Sequence, residues 1–410
     1  MENQNRRRFI KGSVLAAPVL FPGVLSFVLS ACNSKMKPTL SKIDKIEVYR
    51  YDVTLPRYFS FGVYKNRQVA FLKLTSGDYI GWGEMNATIN KPEMDMSEWG
   101  KFLNSLKGMA VKDAFLFLES KRKDKDWGWH RCELVEMALF DLWGKIEDKP
   151  AIEILGLSNR APLPGLFPIL EEDIEKVKDS AREALKRNYT SHIKLKIFGK
   201  KEFDGDLIAA VRNEIGPDAY LVCDPNAGYK SWESLDELAE IIRYLGDKGM
   251  SGCEDPGVLS TEQWITLQKK VQPISVIPDV ILRPSWKALK EGKPGMGNVY
   301  NLHPGSMGSI KHTVELAAKI KNWGHELMIG DASIVGPACS IWQQLAIGMG
   351  ASWVEAIEKP IESDNYLKCL ASKPTYRTKD GKIAMTDKSG FGIDMDEGLL
   401  KEVCSQKAVL

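Results

Sequence analysis

Five charged residues close short apolar runs near the middle of this sequence. Lys194 and Lys196 lie in Ile193-Lys-Leu-Lys-Ile, Asp224 ends Tyr220-Leu-Val-Cys-Asp, Glu254 ends Gly252-Cys-Glu, and Asp279 ends Ser275-Val-Ile-Pro-Asp. Three carboxylates brought together beside two lysines make a hard-oxygen cation site. With no histidine–cysteine ligand set beside them, such oxygens suit Mg²⁺ better than zinc.

The five residues meet only if the runs are neighbouring strands of one parallel sheet. Helical patterns fill the gaps, as at 205–214 and 231–244, and alternating strands and helices argue for that sheet. If it closes into a barrel, the strand C-terminal ends share one face, where catalytic groups gather. Strand signals recur at 167–170, 193–197, 220–223, 252–254, 275–277, 299–302, 326–329 and 353–357. The units share no repeated motif, which argues against a solenoid. The expected fold is therefore α/β: a modified (β/α)8 TIM-type barrel over 161–358, with an α+β capping domain.

The cap is expected over 42–160, completed by a C-terminal segment, 359–410, whose short strand signals return to it. Apolar residues alternate through Ile43, Ile46, Val48 and Tyr49, then through 69–74 and 79–84, with Gly77-Asp78 as the turn of an antiparallel meander. The aromatic stretch Leu55-Pro-Arg-Tyr-Phe-Ser-Phe-Gly-Val-Tyr is either core or a lid over a site. Helices are expected at 96–106 and 111–119, followed by the charged run 121–126 as a solvated loop. Apolar residues at 134, 135, 138, 139 and 142 follow helical spacing.

The first 32 residues read as an address. Arg6-Arg7-Arg8-Phe9 resembles a twin-arginine export signal, an apolar run follows, and Leu29-Ser-Ala-Cys resembles a lipoprotein cleavage box with Cys32 as the lipidated residue. Pro18, Pro22 and Gly23 make that run a poor permanent membrane helix. Residues 33–41 read as a tether. The expected location is periplasmic, with a lipid anchor as the only contact with the membrane.

The 410 residues, 44% hydrophobic, are enough for a large core, and a net charge of +2 gives no sign of a nucleic-acid surface. The remaining cysteines are widely spaced and expected as reduced core thiols, because a domain of this size needs no staples.

Taken in order, these motifs resemble the enolase superfamily, and within it the muconate-lactonizing and dipeptide-epimerase branch. The resemblance runs from about residue 43 to the C-terminal segment. It rests on Leu74-Thr-Ser-Gly-Asp-Tyr-Ile-Gly-Trp-Gly-Glu, Ala138-Leu-Phe-Asp-Leu-Trp-Gly-Lys, the Lys-x-Lys strand, Asp224-Pro-Asn, Glu254-Asp-Pro, Pro278-Asp279 and Phe391-Gly-Ile-Asp.

The resemblance implies a barrel and a cap whose 55–64 loop closes over substrate, with Phe61 facing it. It implies Mg²⁺ on Asp224, Glu254 and Asp279, and removal of a proton α to a carboxylate through an enolate. Lys196 would be the base, made effective by a neighbouring cation, with Lys194 assisting or holding the substrate carboxylate. Asn226 would orient a ligand or shape the turn after Pro225. Family epimerases carry a second lysine on the sixth strand; here His303 stands at that position, and a histidine can act as a base there. Val280 follows Asp279, where the family commonly has a second acid. Asp331 and Glu355 occupy substrate-reading positions without matching the dipeptide pattern cleanly.

The leading expectation is a racemase or epimerase of a small-molecule carboxylate, a dipeptide or amino-acid derivative. An acid-sugar dehydratase or cycloisomerase of the same superfamily is the alternative. A surface lipoprotein that binds a ligand without turnover is the reading from another class. Members of the family often form homo-oligomers, which sets that expectation here.

Overall fold

The computed structural model describes residues 42–410 other than Leu55, 125–126, Ser231, 356–369 and Lys373. The expected export signal, the expected tether and Cys32 lie outside the described residues, as does Cys369.

The alternation near the start builds an antiparallel sheet. β1 (Lys45–Val53) pairs with β4 (Arg67–Ser76), which turns through Gly77 and Asp78 into β5 (Tyr79–Ile89). Between β1 and β4 the aromatic stretch forms a small hairpin, β2 (Arg57–Phe59) and β3 (Gly62–Tyr64). It is not core: Tyr58 is 44% and Phe61 52% exposed.

α1 (Met96–Gly100) tightens into a 3-10 turn, Lys101–Leu106, and α2 (Val111–Asp124) and α3 (Gly128–Ile146) follow, then the short α4 (Ala151–Ile154). The charged run corrects an expectation. Residues 121–124 are the last turn of α2 rather than a loop, since lysines and arginines suit the carbonyl-rich C-terminal end of a helix. Arg122 there is buried, 2.7 Å from Glu136.

Gly-Trp-Gly in β5 explains how α3 lies so close to the sheet. A Cβ at Gly81 would stand 2.2 Å from the Ala138 carbonyl, and one at Gly83 2.4 Å from that of Leu134. Only glycine admits this approach.

The eight expected strands form the barrel: β6 (Leu163–Ile169), β7 (His192–Lys196), β8 (Tyr220–Asp224), β9 (Gly252–Glu254), β10 (Ser275–Ile277), β11 (Val299–Leu302), β12 (Glu326–Ile329) and β13 (Trp353–Glu355). All pair in parallel, in the order β10-β9-β8-β7-β6-β13-β12-β11. The Asn301 amide donates to the Pro278 carbonyl at 3.0 Å, so β10 and β11 nearly close the ring. Leu166, Val222, Ile277, Val299, Met328 and Trp353 fill the interior, a packed core rather than a pore.

The helices α5 (Ile174–Lys186), α6 (Lys201–Ile215), α7 (Leu235–Asp247), α8 (Thr261–Val271), α9 (Ser285–Glu291), α10 (Ile310–Asn322) and α11 (Pro337–Met349) connect successive strands. Several start at a side-chain cap: Asp173, Ser234, and Ser260 in a full capping box with Gln263.

The C-terminal segment supplies β14 (Leu370–Ser372), β15 (Thr375–Arg377), β16 (Lys382–Met385), β17 (Asp394–Met395), α12 (Glu397–Val403) and β18 (Gln406–Val409). β18 pairs with β1 of the cap, whereas β16 pairs with β6 of the barrel. Cap, barrel and tail fold as one compact unit.

Buried carboxylates on the cap join these parts. Asp141 of α3 accepts amides of Trp82 at 3.0 Å and Phe391 at 2.7 Å. Glu84 of β5 accepts the Val335 amide, Gly336 at 2.8 Å and Ala338 at 3.0 Å, where α11 begins. Cys132, Cys223 and Cys253 are buried free thiols, Cys339 is buried, and Cys404 is partly exposed. Among the described residues, no helix is long and apolar enough to cross a membrane.

Candidate active site

Parallel register carries the five charged residues to one end of the barrel. Lys196 of β7 pairs with Asp224 of β8, and Glu254 of β9 pairs with Ile277, two residues before Asp279. Lys194 and Lys196 share a strand face, since side chains alternate with period two. Lys194 Nζ lies 2.9 Å from Glu254 Oε2, 3.3 Å from Asp224 and 3.6 Å from Glu355. Lys196 Nζ lies 2.5 Å from Asp224 Oδ2 and 2.9 Å from Asn226 Oδ1.

Asn226 lies in the turn after β8: its backbone amide donates to Asp224 Oδ1 at 2.8 Å, and its φ is 47°. Phe59 of the hairpin places its ring centroid 5.3 Å from Lys196 Nζ. Phe61 stacks on Phe59 at 5.1 Å with its outer face exposed. Ser60 pins the hairpin to the site, its hydroxyl donating to the Pro225 carbonyl at 2.6 Å.

The charges respond to burial and to each other. Against the cost of burial, Lys196 and Lys194 hold the Asp224 carboxyl well below its usual range. Burial, then the charge of Asp224 and later that of Asp279, pushes Glu254 well up. Lys194 is fully desolvated, yet Glu254, Glu355 and Asp224 keep it a firm cation. Burial and the Arg283 charge push the His303 imidazole down to about 4, so it is neutral near pH 7.

Three residues near the acids escaped the sequence reading. Arg283 donates from Nε to Asp279 Oδ1 at 2.9 Å and from Nη2 to Oδ2. Asn301 is fully buried and donates to Glu254 Oε1 at 3.0 Å; its place two residues before His303 on a strand could have revealed it. Asp255 accepts the amides of Asp279 at 3.1 Å and Val280 at 3.0 Å, setting the backbone of the last acid. Burial and Asp279 push the Asp255 carboxyl up to about 7. Val280, where an acid is common in the resembled family, is 60% exposed.

His303 follows β11, its Nδ1 3.1 Å from the Pro304 carbonyl and 3.3 Å from Ser306 Oγ. Gly330 makes room for it: a Cβ there would stand 3.2 Å from His303 Cδ2 and 2.8 Å from Asn301. Asp331 accepts the Ile334 amide at 3.2 Å, and Glu355 is buried beside Lys194.

Asp224, Glu254 and Asp279 reach one face but not one point. Their oxygens are engaged by Lys194, Lys196 and Arg283, and among the described residues no three acidic, histidine or cysteine side chains form one tight cluster. As a donor set they nevertheless fit Mg²⁺. All three are buried carboxylates with hard-oxygen donors, and the upward push on Glu254 by the other two marks an acid group that positive charge would relieve.

Fold and site define a parallel α/β barrel with a charged catalytic-type mouth under an α+β cap. Residues 176–399, more than half of the chain, match the model of the enolase C-terminal domain-like family, and the chain belongs to that family. An N-succinylamino acid racemase of Thermus thermophilus is 30% identical over 199 residues, 48% of this chain and about half, 51%, of that protein. Muconate cycloisomerase 1 of Acinetobacter baylyi is 22% identical, covering 85% of this chain and 95% of its own. A dipeptide epimerase from Cytophaga hutchinsonii, solved with Mg and D-Ala-L-Val, superposes with a TM-score of 0.73 at 17% identity over 90% of this chain and 99% of that one.

Proposed function

We propose that the protein is an isomerase, a Mg²⁺-dependent racemase or epimerase that moves the α-proton of a small carboxylate. The observation that carries this reading is the placement of Lys196 and His303. β7 and β11 lie four strands apart in either direction around the eight-strand order, so the two bases flank the mouth from opposite sides. A proton taken from one face of a carbon and returned to the other needs two such groups.

Asp224, Glu254 and Asp279 would hold the ion. Bound there, it supplies the positive charge that offsets a second negative charge developing on a carboxylate. Lys194, kept cationic by its acids, is suited to grip that carboxylate. His303, neutral near pH 7, keeps a ring nitrogen able to accept a proton, and burial makes it a weaker base than free imidazole. The hairpin, tied down by Ser60, is suited to exclude water and to cover an apolar group with Phe59 and Phe61.

Racemases and an epimerase among the similar proteins support this reading, and N-acylated amino acids and dipeptides are the substrate classes to try first. Proton NMR in D₂O, with Mg²⁺ and a panel of such compounds, tests it. The expected result is deuterium at the α-carbon with appearance of the epimer, both lost with EDTA. An alkene or lactone product would move the assignment to dehydration or cycloisomerisation, and no exchange with any carboxylate would favour a binding protein.

Export by the twin-arginine route and anchoring through lipid on Cys32 belong to the same proposal and rest on the sequence. Metabolic labelling with palmitate tests the anchor. Cys32→Ser is expected to abolish the label, and persistence of label would exclude this site.

A further inference from the structure

His130, Glu133 and Glu136 recur at helical intervals on α3, and all three meet the loop that leaves β11. The Gly305 amide donates to Glu133 Oε1 at 2.5 Å and the Gly308 amide to Oε2 at 2.8 Å. The Ile310 amide donates to Glu136 Oε2 at 2.5 Å and the Ser309 hydroxyl to Oε1 at 3.2 Å. His130 Nδ1 contacts the Gly305 carbonyl. One face of a cap helix thus grips a barrel loop at four consecutive or near-consecutive residues.

That loop begins with His303, whose imidazole contacts Pro304 and Ser306 within the loop itself. Where the ring stands therefore follows where the loop is held. Glu133 is fully buried, and its hydrogen-bond partners are backbone amides rather than a lysine or arginine. A carboxylate buried in this way is costly, and an apolar or amide side chain could occupy the same space. What the carboxylate alone provides is two acceptor oxygens that fix two amides at once.

We propose that Glu133 is the positioning residue for His303. From the cap, it sets the stand of the imidazole at the barrel mouth and so governs one stereochemical direction of the reaction. The inference rests on reading His303 as the second base. Glu133→Gln keeps the shape but turns an amide NH₂ toward one of the two backbone donors, so either Gly305 or Gly308 loses its acceptor.

The test compares full-length wild type, Glu133→Gln and Glu133→Asp with Mg²⁺ in D₂O, following α-proton exchange separately from each epimer of a substrate that wild type exchanges. Misplacement of a reacting group by about 1 Å costs on the order of a hundredfold. Exchange on the His303 face is therefore expected to fall roughly ten- to a hundredfold in Glu133→Gln, while exchange on the Lys196 face stays within about twofold. Glu133→Asp, which keeps both oxygens, is expected to recover part of the loss.

A second readout needs no turnover. In ¹³C-histidine-labelled protein, the His303 ring cross-peak, assigned with His303→Asn, is expected to move in Glu133→Gln. That of His325, just before β12 at the other end of the barrel, is expected to stay. Equal loss on both faces would reduce Glu133 to a structural role, and an unmoved His303 cross-peak would overturn the proposal. If wild type exchanges neither epimer, the two-base reading fails, and the cross-peaks decide the positioning role alone. If Glu133→Gln does not fold, the same comparisons are made on Glu133→Asp, with the same outcomes deciding.

Discussion

The Lys196 ammonium lies 2.5 Å from Oδ2 of Asp224, an oxygen that the Lys194 ammonium also approaches to 3.3 Å. One carboxylate oxygen thus lies within reach of both lysines of the strand, tying the proposed base to a proposed metal-holding carboxylate. Lys196→Ala is expected to lower exchange on its face of the substrate by about 10²- to 10⁴-fold, the usual weight of a general base. The His303 face is expected to keep measurable exchange. Epimer-resolved deuterium incorporation checks this; equal loss on both faces would mean that the two groups do not work on separate sides.

Mg²⁺ is expected to raise the melting temperature. An ion that binds the folded chain alone stabilises it by about 2.7 kcal/mol at a hundred times its Kd. Asp279→Asn is expected to remove most of that rise, with Arg283 left facing a neutral amide. Thermal melts with Mg²⁺ or EDTA give the comparison, and an unchanged rise would take Asp279 out of the ligand set.

Glu84 and Glu133 are expected to contribute less stability as the solution becomes more alkaline between pH 4.5 and 7, while His192, His303 and His312, pushed down to about 4 by burial, act in the opposite direction. Burial, against the amides they accept, pushes both Glu84 and Glu133 from 4.5 to about 7. A carboxyl raised on folding contributes stability that is complete below its unfolded value and is lost as pH passes through its folded value. At 1.36 kcal/mol per pH unit, this is on the order of 3 kcal/mol for each group. Urea unfolding of wild type and Glu84→Gln at pH 5 and pH 8 isolates the Glu84 part. Glu84→Gln is expected to cost more stability at pH 5 than at pH 8, by about that amount, and an equal cost at both would refute it.

Gly330→Ala places a methyl 2.8 Å from the Asn301 amide and 3.2 Å from the His303 ring. Crowding a packed site costs about 1–3 kcal/mol. The variant is expected to melt lower and to lose exchange mainly on the His303 face. Equal activity on both faces, with a wild-type melt, would show that the ring moves aside freely.

Several features were legible because they are local. Apolar runs closed by Lys194, Lys196, Asp224, Glu254 and Asp279 reappear as barrel strands with the charges at their C-terminal ends. Gly77-Asp78 is the turn between β4 and β5. The 121–126 run was misread in part because charge alone does not tell a solvated loop from the last turn of a helix.

The barrel strands, their alternation with helices and the side-chain types at their ends are written in the order of residues. Hydrophobic period and turn chemistry act over a few residues, and each run carries its own signal. That Arg283 holds Asp279, that Asn301 reaches Glu254, and that Glu84 and Glu133 of the cap hold loops of the barrel comes from the packed fold alone. Glu133 and Gly305 are 172 positions apart. Their pairing follows from the close approach of α3 to β5 over Gly81 and Gly83 and from closure of the barrel beneath, and neither leaves a periodic trace at either residue.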